Sequence, residues 1–366
     1  MKILFVINGL VGGGAEKLMN DLLPRLKKKH ECDLLILSKE KEKYLDSLTQ
    51  NGIKVTVVPQ EPKSHIAKIR YMKAYIEAGG YDLVHANLFP TLYYCAILKK
   101  LYFRKIPFVY TEHNTDNRRR HISILKPLEK IVYKQYEHII SISQETQEQL
   151  LKWLGEKPEE RFSVIPNGVP LEGFFSAVAC DIEAIVEGIN KRDFIICMIG
   201  SFSPQKNHIF MLEVMQLLPD RFKLILLGEG ELEAYVQQKV LEKNLNQRVF
   251  FLGFHKEVAS VIKASNVVVI PSKWEGFGLV AVEAMACGIP VVCSNVSGLN
   301  EVIGDVGIKI ELDNKIEFAN AIRKIINMDS DEKKAMTDCC KQRAQCFDIN
   351  RMLKRYIQIY EGCKKL

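Results

Sequence analysis

The chain has 366 residues, 47% hydrophobic and 26% charged, the balance of a soluble globular protein long enough for two or three domains. No apolar stretch approaches the length of a membrane span, and "MKILFVINGL" has only five consecutive apolar residues, too few for a signal-peptide core. The net charge of +7 is unevenly spread: residues 1–170 carry 27 Lys+Arg against 19 Asp+Glu, a net of +8, and the remainder carries 24 against 25, a net of −1.

Apolar runs alternate with amphipathic segments from end to end. Strands are expected at 2–7, 32–37, 54–59, 82–86, 108–113, 138–143 and 162–168. A second series follows at 194–200, 222–228, 249–253, 266–272, 290–294 and 307–310. These runs are short and apolar on both faces, as in buried parallel sheets, so two doubly wound α/β domains are predicted. Their boundary is expected within "PNGVPLEGF" (166–174), which is rich in proline and glycine. Met352, Leu353, Tyr356, Ile357 and Tyr360 recur at helical spacing and predict a closing amphipathic helix.

Ten cysteines form no C-x-x-C pair and no regular spacing, so they are expected to be reduced and mostly in the core, which places the chain in the cytoplasm. In the basic half, "KKLYFRK" (99–105) and "RRRHISILKPLEKIVYKQ" (118–135) mix cations with aromatic and aliphatic residues. That mixture suits an anionic membrane surface or phosphate groups, and it suits a solvated basic face equally well. No nucleic-acid module is recognisable, so nucleic acid is not an expected partner.

The residues that could carry chemistry follow strands. "GSFSPQKNH" (200–208) ends a strand at Gly200 and opens a helix with Lys206 near its start, where an ammonium group is a natural partner for a diphosphate. "LGEGE" (227–231) places Gly228 in a second strand-end turn. "NVVVIPSKWEGFGLVAVEAMACGIPVV" reads strand, glycine loop, helix, strand, with the helix beginning near Gly278 or Leu279. Its backbone N–H groups suit an anion, while Glu275 before the helix and Glu283 within it suit sugar hydroxyls. All three segments lie at carboxyl ends of strands, where open α/β sheets bind ligands. Taken alone, the glutamate pair reads better as a helix cap plus a solvated residue.

In the first half, "NGLVGGGAEKL" (8–18) follows the first strand, and Gly12, Gly13 and Gly14 would let a ligand approach the backbone. The run lacks the G-x-G-x-x-G spacing, which argues against a nicotinamide cofactor. His85 and His113 sit at strand ends, and a lone histidine is more often structural than catalytic. His113 gains weight because its strand end should face an interdomain cleft. The D-x-D at Asp329 and Asp331 reads as a helix cap rather than a metal site.

The run "IGSFSPQKN … LLGEGE … VFFLGF … VVVIPSKWEGFGLVAVEAMACGIPVV" resembles the retaining nucleotide-sugar glycosyltransferases of family 4. The likeness extends more loosely to "GGGAE", "TEHN", "VIPNGV" and the terminal "FDI…YIQIY". It implies the α/β GT-B fold: two Rossmann-like domains facing across a cleft, with the last helix crossing back to the first. The acceptor-binding domain would be residues 1–166 with 349–366, and the donor-binding domain 167–348. Lys206 would bind the donor diphosphate, Glu283 the nucleotide ribose and Glu275 the transferred sugar. The backbone of Gly276, Phe277, Gly278 and Leu279 would hold sugar and phosphate, and His113 would touch the donor sugar at the reacting face. Gly13 and Gly14 would shape the acceptor side, Asn167 and Gly168 the hinge, and Gly200 and Gly228 the donor loops. One departure is plain. The family usually carries an arginine five places before the lysine, and here that position is Ser201.

The resemblance further implies a metal-independent hexosyltransferase of bacterial polysaccharide biosynthesis, capsule and lipopolysaccharide included. Its co-substrate would be a UDP-sugar, with no other cofactor; the basic first half suggests as acceptor a lipid-linked glycan met at the inner face of the plasma membrane. A GT-B epimerase or phosphorylase, and an inactive sugar-nucleotide-binding protein, stand as alternatives.

Overall fold

The computed structural model describes residues 1–39, 42–255 and 257–364. The first seven strands are β1 (Lys2–Ile7), β2 (Glu31–Ile36), β3 (Lys54–Val57), β4 (Leu83–Asn87), β5 (Phe108–Glu112), β6 (His138–Ser141) and β7 (Phe162–Val164). They form one sheet in the order β3-β2-β1-β4-β5-β6-β7, and each neighbouring pair is parallel. The other six are β8 (Phe194–Ile199), β9 (Phe222–Leu227), β10 (Val249–Gly253), β11 (Val267–Ile270), β12 (Val291–Ser294) and β13 (Ile308–Ile310). Their sheet is also parallel, in the order β10-β9-β8-β11-β12-β13. Each predicted run therefore coincides with a strand: β1 and β10 match their runs end to end, β2 and β4 are shifted by one residue, and the others are trimmed. The run at 162–168 shortens most, because Pro166 has no N–H to give a ladder.

Alternation builds the first core on both faces of its sheet. Leu4, Val84 and Tyr110 enter one apolar cluster, while Ile3, Phe5 and Val109 enter the other. The second cluster is completed by the helix Ile349–Lys364, whose Met352, Leu353, Tyr356, Ile357 and Tyr360 are all buried in it. Residues 365 and 366 of the predicted closing segment lie outside the described residues.

The chain divides into one unit of Met1–Gly168 with the segment from Ile349 onward, and a second of Val169–Asp348. Asn167 and Gly168 thus belong to the first unit and not, as expected, to the second. Gly168 explains this: its N–H donates to the Met352 sulfur, and a Cβ there would lie 2.4 Å from the Ile349 Cα. Both atoms sit on the closing helix.

His85 is structural. It is fully buried, its Nδ1 lies 2.7 Å from the Tyr360 hydroxyl and its Nε2 lies 2.7 Å from the Thr111 hydroxyl. Burial pushes its pKa down to about 3, so the neutral ring uses both nitrogens to tie β4, β5 and the closing helix together. Tyr360→Phe strands one ring nitrogen in the core. The expected loss is about 1–3 kcal/mol of stability, read from the urea midpoint at neutral pH, and an unchanged midpoint contradicts this role.

Asp329 caps the helix Ser330–Ala344. Its carboxylate accepts from the Asp331 and Glu332 N–H groups at 2.9 and 2.8 Å, and Glu332 reciprocates in a capping box. All ten cysteines are unpaired and seven are buried, consistent with apolar packing.

Candidate active site

In the second sheet the strand order reverses direction between β8 and β11, and such a switch point opens a crevice beyond the carboxyl ends of its strands. The loop after β8 carries Lys206, and the loop after β11 carries Glu275. Lys206 Nζ donates to Glu275 Oε1, and the buried Ser272 hydroxyl donates to the same oxygen at 2.9 Å. The ion pair is half-sheltered, with side-chain exposures of 18% for Lys206 and 9% for Glu275. Gly200 makes this possible, because the lysine stem crosses the place where a Cβ would stand: three of its carbons lie 3.1–3.2 Å from that position.

One backbone bond and one from the Gln205 side chain lock the two loops to each other. Lys273 N–H donates to the Gln205 carbonyl at 2.8 Å, and the Gln205 amide donates to the Trp274 carbonyl at 2.8 Å. The turn after β8 is further fixed by Phe202, which stacks on His208 with ring centroids 4.3 Å apart. Burial, reinforced by the Lys206 charge, pushes His208 down to about 4, so that ring is neutral.

Beyond Glu275 the chain runs into the helix Leu279–Ala286, with Gly278 as N-cap at φ +97° and no side chain capping the first turn. A positive φ and the Leu299 side chain, 2.5 Å from a Cβ placed there, both select glycine at 278. The first-turn amides are therefore supplied by Leu279 and its successors, uncovered by any cap side chain. Phe277 is 3% exposed and packs edge-on against Phe347, so only its backbone is left for a ligand. Glu283, in an otherwise apolar helix, is 2% exposed.

Two glycines expected to shape ligand-binding loops are also closely packed against the protein. A Cβ on Gly228 would lie 2.0 Å from the Gly200 carbonyl oxygen, so Gly228 supports the lysine loop from beneath. A Cβ on Gly13 would lie 2.4 Å from Glu16 Oε2. Glu16 folds back onto the amides of Gly13 and of its own residue, and burial raises its pKa. The start of the helix Gly14–Leu26 is thus capped by its own carboxylate. Ser201 is exposed, with its hydroxyl 3.3 Å from that of Ser203.

In the first unit, His113 follows β5 and is 8% exposed, with Nε2 at 3.1 Å from the Asn87 side-chain oxygen. Desolvation pushes its pKa down to about 4, so the ring is neutral; Nε2 carries the proton toward Asn87, and Nδ1 is left as an acceptor. Asn87 is the last residue of β4, which with β1 flanks the switch point of this sheet. Asn167 is 4% exposed, and its side-chain oxygen has no hydrogen-bond partner.

Several supporting residues escape a sequence reading. Gln205 and Ser272 lie within the motif-bearing runs without a role of their own, and Asn87 and Gly298 lie outside them, yet a Cβ on Gly298 would lie 2.2 Å from the Glu275 carbonyl oxygen.

Two Rossmann-like domains, one with a lysine–glutamate pair and a glycine-led helix at its switch point, have the architecture of the GT-B class. The family model described as Glycosyltransferase Family 4 matches residues 12–172, and that described as Glycosyl transferases group 1 matches 181–343. The UDP-Gal:alpha-D-GlcNAc-diphosphoundecaprenol alpha-1,3-galactosyltransferase of Escherichia coli is 30% identical over 328 residues, 83% of this chain and 82% of that protein. A Campylobacter jejuni N-acetylgalactosamine-N,N'-diacetylbacillosaminyl-diphospho-undecaprenol 4-alpha-N-acetylgalactosaminyltransferase is 25% identical over 361 residues, 95% of this chain and 96% of that protein. Anabaena HepE in complex with UDP-glucose shares the fold with a TM-score of 0.85, at 23% identity over 99% of this chain and all of that one. The chain belongs to the family 4 glycosyltransferases.

Proposed function

We propose that this glycosyltransferase moves a hexose or N-acetylhexosamine from a UDP-sugar to a hydroxyl of a lipid-linked glycan, with retention and without a metal ion. The observation that carries the reading is the Lys206–Glu275 pair between the ends of β8 and β11. A diphosphate would draw the ammonium group from Glu275 and lie against the uncapped first turn of the helix Leu279–Ala286. Glu275 would then accept from sugar hydroxyls and Glu283 from the ribose. His113, neutral and with an acceptor nitrogen, suits a sugar hydroxyl better than a phosphate.

In the reaction the bond from the anomeric carbon to the β-phosphate oxygen breaks, and its electron pair leaves with UDP. The acceptor hydroxyl attacks from the same face, and its proton passes to the departing phosphate. Lys206 and the helix amides stabilise the charge that develops there. The names of the Escherichia coli and Campylobacter relatives, with diphosphoundecaprenol-linked acceptors, support the acceptor class.

The test offers UDP-, GDP- and ADP-sugars with an undecaprenyl-diphosphate glycan and reads product and anomer by NMR, with and without chelator. Transfer from a UDP-sugar with retained configuration, undiminished by chelator, is expected. An inverted product, a chelator-abolished rate, or an epimer formed without acceptor would each overturn the corresponding part. Binding without turnover would mark an inactive sugar-nucleotide binder.

A further inference from the structure

Two carboxylates of the first unit, Glu112 and Glu129, are fully buried, and each holds an arginine: Glu129 holds Arg119, and Glu112 holds Arg120. Taking a carboxylate out of water is costly, and hydrophobic residues of similar volume often serve a core equally well. Stability is therefore a weak account of either acid, and their partners separate them. Glu129 accepts from Arg119 Nε at 2.6 Å, from the Tyr93 hydroxyl at 2.8 Å and from Trp153 Nε1 at 2.7 Å. Those bonds join three helices and the turn Arg118–His121.

Glu112 is placed differently. It ends β5 on the same face as Tyr110, and Tyr133 meets both. The Tyr133 ring stands edge-on to Tyr110 with centroids 5.8 Å apart, and its hydroxyl donates to Glu112 Oε2 at 2.5 Å. Glu112 Oε1 reaches across His113 to accept from the Asn114 N–H at 3.2 Å. Arg120 Nη2 donates to Oε2 at 3.3 Å, while its Nη1 donates to the Thr115 carbonyl. Before His113 the backbone is held by the sheet, where the Ile142 N–H donates to the Glu112 carbonyl at 3.3 Å. After it, the backbone is held by the Glu112 carboxylate, directly at Asn114 and through Arg120 at Thr115. With both flanks fixed and Nε2 tied to the Asn87 side-chain oxygen, the imidazole is left one direction in which to present Nδ1.

We propose that Glu112 is the positioning residue of His113, aiming its ring through the Asn114 amide and Arg120. The use of that aim rests on the proposed contact of His113 with the donor sugar, but one arm of the test needs no substrate.

Glu112→Gln keeps the side-chain shape and loses the charge that holds Arg120. With a UDP-sugar and an undecaprenyl-diphosphate glycan, kcat is expected to fall about 10–100-fold while KM for both substrates stays within about threefold. Glu129→Gln loses an equivalent buried charge, so it should lower the urea midpoint yet hold kcat within about twofold. In a His113→Ala background the Glu112→Gln step should have no further effect on kcat, because a residue acting through another has none once that one is gone. In the free protein the 15N-labelled His113 imidazole, assigned by its loss in His113→Ala, should shift in Glu112→Gln and not in Glu129→Gln. Should the unpaired arginine keep Glu112→Gln from folding, Glu112→Gln/Arg120→Gln removes both charges together and enters the same measurements. The proposal is overturned if the imidazole signal does not move, if Glu129→Gln loses kcat as far, or if the losses at 112 and 113 multiply. An imidazole shift in a protein that transfers no sugar would count against the proposed reaction and leave the positioning role standing. A large loss in His113→Ala with none in Glu112→Gln would do the reverse.

Discussion

Lys206→Ala is expected to lower kcat/KM for sugar transfer by about 10²–10³-fold, the usual effect of removing one preorganised group from a developing oxyanion. The lysine is the cation that the ordered loop after β8 delivers to the switch point, since the position five residues earlier is Ser201, which can carry no charge. The fold should survive. The lysine side chain is partly solvated, Ser272 still donates to Glu275, and the Gln205 bonds that join the loops are untouched. Steady-state kinetics with a saturating acceptor, beside near-UV circular dichroism, check this. The fall should appear chiefly in kcat, because charge on the leaving phosphate grows toward the transition state. A folded variant within twofold of wild type would remove Lys206 from the site.

Gly298→Ala tests the same site from behind. Its new methyl carbon would stand 2.2 Å from the Glu275 carbonyl oxygen, 2.8 Å from the Glu275 carbonyl carbon and 2.9 Å from the Gly276 carbonyl carbon. Those are backbone atoms, which cannot rotate aside as a side chain would, so the loop carrying Glu275 has to move by something like an ångström. Overpacking of this kind costs about 1–3 kcal/mol. A comparable displacement of a positioning loop costs about 10²-fold in rate. Gly173→Ala is the control: nothing lies within 4 Å of its added carbon, and inside the helix Leu171–Phe175 it should hold or raise stability by up to about 1 kcal/mol and leave turnover unchanged. If Gly298→Ala behaved like that control, the support assigned to Gly298 would be mistaken.

The architecture was legible because both sheets are buried on both faces. Runs such as "KILFVI" and "FKLILL" can be little else than inner parallel strands, and glycine-led loops must then follow at their carboxyl ends. The closing helix was equally legible from its tyrosine and aliphatic spacing. Less could be said of individual polar residues. His85 and His113 look alike in sequence, each near a strand end, yet His85 is consumed between Tyr360 and Thr111 while His113 retains an acceptor nitrogen. The partner Tyr360 is 275 residues away, a distance that no local pattern spans.

By itself, then, the order of residues determined the described strands, the closing amphipathic helix, and the identity of Lys206 and Glu275 as charged groups following β8 and β11. Periodicity and turn chemistry are local, and local physics sufficed there. Only the tertiary structure decided that Lys206 pairs with Glu275, that Gly228 and Gly298 serve neighbouring backbone, that Glu16 closes the first glycine loop, and that Arg119 and Arg120 are spent on buried carboxylates. Each of those outcomes depends on which atoms come within about 3 Å of one another. Strand order sets that proximity, and strand order is settled by how whole elements pack.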